Sequence, residues 1–111
     1  MSEYYLAIDI GASSGRHILG YLNNGKLVLE EIHRFDNGMK EKDGHLCWDL
    51  DYIFSEILKG LKKCKKMGKT PVCMGIDTWA VDFVLLDKND KILGNAVGYR
   101  DKRTAGIDKK V

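Results

Sequence analysis

The feature that most constrains this chain is an apolar run that carries one acid and then breaks into small residues. Tyr4 to Ile10 contains Asp9, and Gly11-Ala12-Ser13-Ser14-Gly15 follows. Such a run reads as a strand entering a tight turn. Side chains this small let a ligand approach the backbone and let several N–H groups face one concavity, where phosphate oxygens are natural occupants. The hydroxyls of Ser13 and Ser14 add donors, and Arg16 offers a guanidinium to an anion or to a neighbouring acid. Asp9, at the strand end, can hold a hydrated Mg²⁺ that bridges to substrate phosphates. The turn lacks P-loop spacing and no helix pattern follows it, so it is not a P-loop. A Gly/Ser hairpin turn that binds nothing fits the same residues.

Beyond the turn, His17 to Leu22 reads as a second strand. Asn23-Asn24-Gly25-Lys26 is a hairpin signal, because Asn and Gly tolerate the positive φ that tight hairpins require. Leu27 to Phe35 is then a third strand, antiparallel to the second, and the three form a meander. Asp36 to Gly44 is polar and reads as a loop, and His45-Leu46-Cys47-Trp48 as a short extended piece. Asp49 or Asp51 opens a helix. Ile53, Phe54, Ile57, Leu58, Leu61 and Cys64 trace one apolar stripe along it. Gly68 suits the position just past the helix end, and Pro71 stops the helix continuing.

Val72 to Asp77 is short and nearly all apolar, as expected of a central strand covered on both faces. Thr78 to Asp82 reads as a loop, Phe83 to Leu86 as a strand and Asp87 to Asp90 as a turn. Ile92-Leu93 and Ala96 to Tyr99 are further short extended pieces. The succession βββαβ followed by short strands predicts an α/β fold with a mixed sheet of the ribonuclease H-like kind. The right-handed crossover rule places the strand after the helix beside the first. Asp9 and Asp77 then lie at the carboxyl ends of adjacent parallel strands, where open α/β sheets bind ligands.

A chain of 111 residues has room for one modest core, or is part of a larger domain. Its net charge of +2 is weak and its lysines are scattered, which argues against a nucleic-acid partner. The cluster Lys62-Lys63 and Lys65-Lys66 suits a helix C-terminus. Cys47, Cys64 and Cys73 form no C-x-x-C pair, which fits a reducing compartment without a disulfide framework or zinc site. No basic n-region or membrane-length apolar run is present, so a cytoplasmic location and no membrane partner are expected. His17, His33 and His45 share no metal-ligand spacing and read as solvent or strand residues. Trp48, Trp79 and Phe83 read as packing residues.

Four blocks resemble the FGGY carbohydrate kinases, a family within the actin, hexokinase and heat-shock chaperone ATPase superfamily. They are Asp9 to Arg16, Ile32 to Phe35 with Asn37-Gly38, Gly75 to Asp87, and Tyr99 to Thr104. The resemblance runs in order over essentially the whole chain. It implies ATP-dependent phosphorylation of the 1-hydroxyl of L-rhamnulose or a related ketose, in L-rhamnose catabolism. It further implies that Ala12, Ser13, Ser14, Gly15 and Arg16 bind ATP phosphates and that Asp9 faces Mg²⁺ and the transferred group. Ala80, with Asp82, would contact the sugar. The family pattern has glycine where this chain has Ala80, and an added methyl there would shrink the sugar pocket or change which ketose fits.

The family chain is several times longer. Its general base, an aspartate in a segment with no counterpart here, is expected beyond Val111. Residues 1–111 are therefore expected to be the N-terminal part of the first lobe, without a catalytic base and inactive alone. Asp77 is expected to play a structural or orienting role, and Arg100 and Arg103 to lie at the surface or to brace the sugar loop through Asp101.

Two other classes remain open on the sequence. Paired acids at adjacent strand ends also suit a ribonuclease H-like nuclease with two metals, although that chemistry needs a further acid on the helix and Glu56 has no evident partner set. A non-catalytic assembly module is the other, since uncovered sheet edges favour self-association.

Overall fold

The structure is a computed structural model that describes residues 3–110. Val111, beyond which the general base is expected, lies outside the described residues. Three long strands open the chain: β1 (Tyr4–Ile10), β2 (Ser14–Asn23) and β3 (Lys26–Asp36). They form the expected antiparallel meander, and the β2–β3 turn places Asn24 and Gly25 at φ 51° and 77°. After β4 (Lys40–Lys42) and β5 (His45–Trp48) comes a long helix, α1 (Leu50–Lys66), and then β6 (Pro71–Thr78). Three two-residue strands follow: β7 (Leu85–Leu86), β8 (Ile92–Leu93) and β9 (Ala96–Val97).

The chain divides into two compact units. One comprises residues up to Asn37 together with Asp51–Trp79, the other Gly38–Leu50 and the residues from Ala80 onward. The first unit holds a mixed sheet in the order β3-β2-β1-β6, with β6 parallel to β1. Helix α1 provides the crossover between those parallel strands. Alternation along β1 buries Leu6, Ile8 and Ile10, and along β2 it buries Gly15, His17 and Leu19. Ile8 and His17 are register partners. Fully burying a residue such as Ile8 or Leu19 contributes about 1.5–3 kcal/mol.

The helix ends as its sequence predicts. Gly68 takes φ 72°, its N–H reaches the Lys65 carbonyl at 3.1 Å, and the Lys69 N–H reaches the Cys64 carbonyl at 3.0 Å. These two bonds are the paired closure that satisfies orphan carbonyls at a helix C-terminus.

Several expectations are corrected. The buried face of α1 is Ile53, Glu56, Gly60 and Cys64, whereas Phe54 and Leu58 of the expected stripe are exposed. Gly60 faces His17 so closely that a Cβ there would overlap its imidazole. Of the two readings of His17, solvent or strand, the strand holds: it lies in β2 and is fully buried, and its Nε2–H donates to the Ile57 carbonyl at 3.1 Å. Glu56 does have partners, accepting from His33 Nε2 at 2.6 Å and from Lys59 at 3.3 Å. Strand β6 is not covered on both faces. Among the described residues it pairs only with β1, and Val72, Met74 and Ile76 are exposed.

In the second unit, β4, β5 and β9 form a three-stranded sheet and β7 pairs with β8. Lys40–Lys42 lies in the stretch expected to be a loop. Its pairing with His45–Cys47 turns through Asp43 and Gly44, both at positive φ, so backbone bonding and not apolar pattern makes this strand. Cys47, Trp48 and Ala96 are the buried apolar residues among those described in this unit.

Candidate functional site

The site is built at the carboxyl ends of β1 and β6, on the sheet face opposite α1. Because Ile8 and Ile10 point toward the helix, Asp9 between them must point away from it. Register places Asp9 beside Arg16 on the antiparallel side and beside Asp77 on the parallel side. Arg16 Nη1 donates to Asp9 Oδ2 at 2.5 Å, and Nη2 donates to Ser14 Oγ at 2.8 Å. Arg16 Nε is buried without a partner among the described residues. The Asp77 carboxyl is held above its ordinary pKa, first by hydrogen bonding with the Asp9 carboxyl, then by burial and by repulsion from the same neighbour. Arg16 opposes that rise.

The turn between β1 and β2 is closed by the Gly11 N–H on the Ser14 carbonyl, at 2.9 Å. Gly15 is required for a reason the sequence does not reveal. It lies on the helix-facing side, and a Cβ there would overlap the Phe35 ring. Its smallness therefore serves packing beneath the turn. Asn37, which immediately follows β3, bonds the turn twice: its N–H donates to the Ser13 carbonyl and its Nδ2 to the Gly11 carbonyl, both at 2.9 Å.

The sequence-expected phosphate and metal residues thus form one cluster in the first unit: Asp9, Ala12, Ser13, Ser14 and Arg16, with Asp77 added. Carboxylate oxygens beside a small-residue turn are a hard donor set, and one or two such oxygens are what Mg²⁺ takes when it also binds substrate phosphates. Among the described residues, no three His, Cys, Asp or Glu side chains are grouped to hold a metal by themselves. Glu56 cannot serve as the third acid of a nuclease site. It is buried on the helix side with His33, away from the face that Asp9 shares with Arg16. Burial pushes its carboxyl up, but the bonds from His33 and Lys59 outweigh that and leave its pKa below the ordinary value.

Ala80 and Asp82 belong to the second unit. Ala80 is exposed, and the left-handed backbone of this loop falls on Val81, at φ 71°, not on the alanine. Asp82 is half-buried and accepts from Trp48 Nε1 at 2.7 Å. Asp101 braces β5: it accepts from the Leu46 N–H at 2.8 Å and from His45 Nδ1 at 3.0 Å. Those bonds, the Leu46 N–H foremost, draw its pKa down to about 2. Arg103 approaches the same carboxylate at 3.8 Å, and Arg100 lies over the Tyr99 ring.

A meander, a crossover helix and a parallel strand, with paired acids at the strand ends beside a small-residue turn, define an α/β domain of the class expected from the sequence. The chain belongs to the FGGY family of carbohydrate kinases: the model of that family's N-terminal domain matches residues 4–111. Rhamnulokinase of Halalkalibacterium halodurans is 62% identical over 109 residues, covering 98% of this chain and 23% of that protein. Rhamnulokinase of Oceanobacillus iheyensis is 58% identical over 111 residues, covering 100% and 24%. The chain therefore spans about a quarter of the length of the curated relatives it matches.

Among solved structures, gluconate kinase from Lactobacillus acidophilus superposes with a TM-score of 0.79 at 18% identity, covering 99% of this chain and 22% of that one. Plasmodium falciparum glycerol kinase with ADP gives 0.73 at 19% identity, covering 97% and 22%. At such identities these likenesses establish the fold alone. No helix among the described residues is long and apolar enough to cross a membrane.

Proposed function

We propose that this chain supplies the phosphate-binding portion of a rhamnulokinase, which transfers the γ-phosphoryl group of ATP to the 1-hydroxyl of L-rhamnulose or a related ketose. The observation that carries this reading is the convergence of Asp9, Asp77, Arg16 and Ser14 beside the Gly11–Ser14 turn. The names of the relatives point to the sugar.

In this reading the backbone N–H groups from Ala12 to Gly15 and the hydroxyls of Ser13 and Ser14 hold the ATP phosphates, and Arg16 orients Asp9 while facing the same anions. Phosphoryl transfer depends on such positioning and charge neutralisation more than on covalent chemistry by the protein. Asp9, with Asp77 beside it, would hold Mg²⁺, which supplies charge neutralisation on the phosphate oxygens. Asp82 and the backbone at Ala80 would contact sugar hydroxyls. The general base that takes the proton of the sugar hydroxyl is assigned to the part of the relatives that follows the position of Val111, beyond the matched quarter. The chain alone is accordingly inactive, works in the cytoplasm as part of the larger enzyme, and self-associates through the uncovered edge of β6 when isolated.

A chimaera tests this directly. This chain replaces the matching quarter of the Halalkalibacterium halodurans rhamnulokinase, and ADP release is followed with L-rhamnulose. Retained turnover, lost by at least about a thousandfold on Asp9→Asn, is expected from removal of a metal-facing carboxylate. Turnover that is indifferent to Asp9→Asn, or turnover by the 111-residue chain alone, would overturn the reading.

A further inference from the structure

Asn37 grips the β1–β2 turn from outside it, and its two bonds differ in kind. The backbone N–H to the Ser13 carbonyl could be made by any residue but proline, whereas the bond to the Gly11 carbonyl needs a side-chain donor of this length. Together they bind the carbonyls on both sides of Ala12. The segment that carries Asn37 is itself fixed from the helix side. Phe35 fills the space left by Gly15, and Tyr52 Oη donates to the Asp36 carbonyl at 2.7 Å.

We infer that Asn37 is a positioning residue for phosphate binding: it holds the Gly11 and Ser13 carbonyls so that the turn presents N–H groups, not oxygens, to a polyphosphate. The inference rests on the phosphate-binding reading above. It also explains the residue type. Aspartate has nearly the same shape, but it would set a carboxylate against the Gly11 carbonyl and add negative charge beside the anion. Leucine would fill the space without a donor and leave the Gly11 carbonyl unbonded.

The test compares the parent chain with Asn37→Ala and Asn37→Asp in two measurements. Amide exchange without ligand is expected to quicken about tenfold at Gly11 in both variants while Leu6 and Ile8 in β1 keep their protection. An unchanged Gly11 rate overturns the inference. Binding of Mg²⁺-tripolyphosphate, a probe with no nucleoside, is expected to weaken at least fivefold in Asn37→Ala and more in Asn37→Asp, with the far-UV spectrum and unfolding midpoint nearly retained.

Equal affinity in all three proteins overturns the positioning role, as does a loss of affinity that merely follows a loss of folded protein. If the parent chain itself does not bind tripolyphosphate, the phosphate-binding reading fails and takes the positioning role with it. The exchange rates then still decide whether Asn37 sets the turn.

Discussion

Asp9 and Asp77 occupy paired positions on neighbouring parallel strands, and hydrogen bonding with the Asp9 carboxyl is the first cause that holds the Asp77 pKa above its ordinary value. The Arg16 guanidinium lies against Asp9 and opposes the rise at Asp77. The raised pKa of Asp77 means that the folded chain binds more protons than the unfolded one. Its contribution is complete below the unfolded value of about 3.9 and is lost as pH rises through the folded value. Asp77→Asn is therefore expected to raise the unfolding midpoint at pH 7 and to leave it nearly unchanged at pH 3. Urea melts at the two pH values check this, and an equal gain at both would refute the carboxyl pairing.

Gly60 makes a second prediction because its helix position favours alanine while its neighbour forbids it. Alanine would gain up to about 1 kcal/mol in helix propensity. Overlap with the buried His17 ring costs about 1–3 kcal/mol in displaced packing. Gly60→Ala is expected to be net destabilising, by up to about 2 kcal/mol in chemical denaturation, against the propensity ranking.

The same histidine governs behaviour in mild acid. Burial lowers the His17 pKa, and its Nδ1 has no hydrogen-bond partner among the described residues. In the window just below pH 6.5 the unfolded chain takes up a proton that the folded chain refuses, so stability is full above that value and falls as pH drops through it. Glu56, whose pKa is depressed, adds a second loss below pH 4.5, as the carboxylate that His33 and Lys59 bond becomes protonated. Unfolding midpoints taken from pH 8 to pH 3 should show both declines, and His17→Leu should abolish the first while keeping the second.

Val81 supplies a prediction for the second unit. A β-branched, exposed residue at φ 71° is strained, and the left-handed region costs a non-glycine residue about 1–2 kcal/mol. Glycine removes that strain but adds about 0.5–1 kcal/mol of chain entropy. Val81→Gly should leave stability unchanged or raise it by up to about 1 kcal/mol, measured by thermal melting, whereas Ala80→Gly should lower it slightly or not at all.

The meander, the helix and the parallel order of β1 and β6 are legible in the sequence because each rests on a local signal: apolar runs, the Asn24-Gly25 turn, and Gly68 before Pro71. Asp9 with the small-residue turn is legible for the same reason. What escapes is set by partners distant in sequence. His17 reads only as a solvent or strand residue, yet it alternates with Gly15 and Leu19, and that period of two is the signal that places it on the covered face.

Neither Gly60 nor Glu56 advertises a buried position, since one has no side chain and the other is charged. Each is buried because His17 and His33 stand opposite. Lys40-Glu41-Lys42 has no apolar pattern at all, and only its pairing with β5 makes it a strand. The near-continuous apolar run of β6 suggests cover on both faces. Its exposure here fits a chain that spans a quarter of its relatives.

The central claim is that the Gly11–Arg16 turn, with Asp9 and Asp77 beside it, is where a nucleotide's phosphates and their Mg²⁺ sit. The most direct measurement is a titration of the ¹⁵N-labelled chain with Mg²⁺-ADP and a non-hydrolysable Mg²⁺-ATP analogue, followed by amide shifts. Saturable shifts confined to Gly11 through Arg16 and to Asp77, larger for the triphosphate and removed by Asp9→Asn, are the predicted result. Shifts centred elsewhere on the chain, or a turn that stays unmoved at millimolar nucleotide, would contradict it.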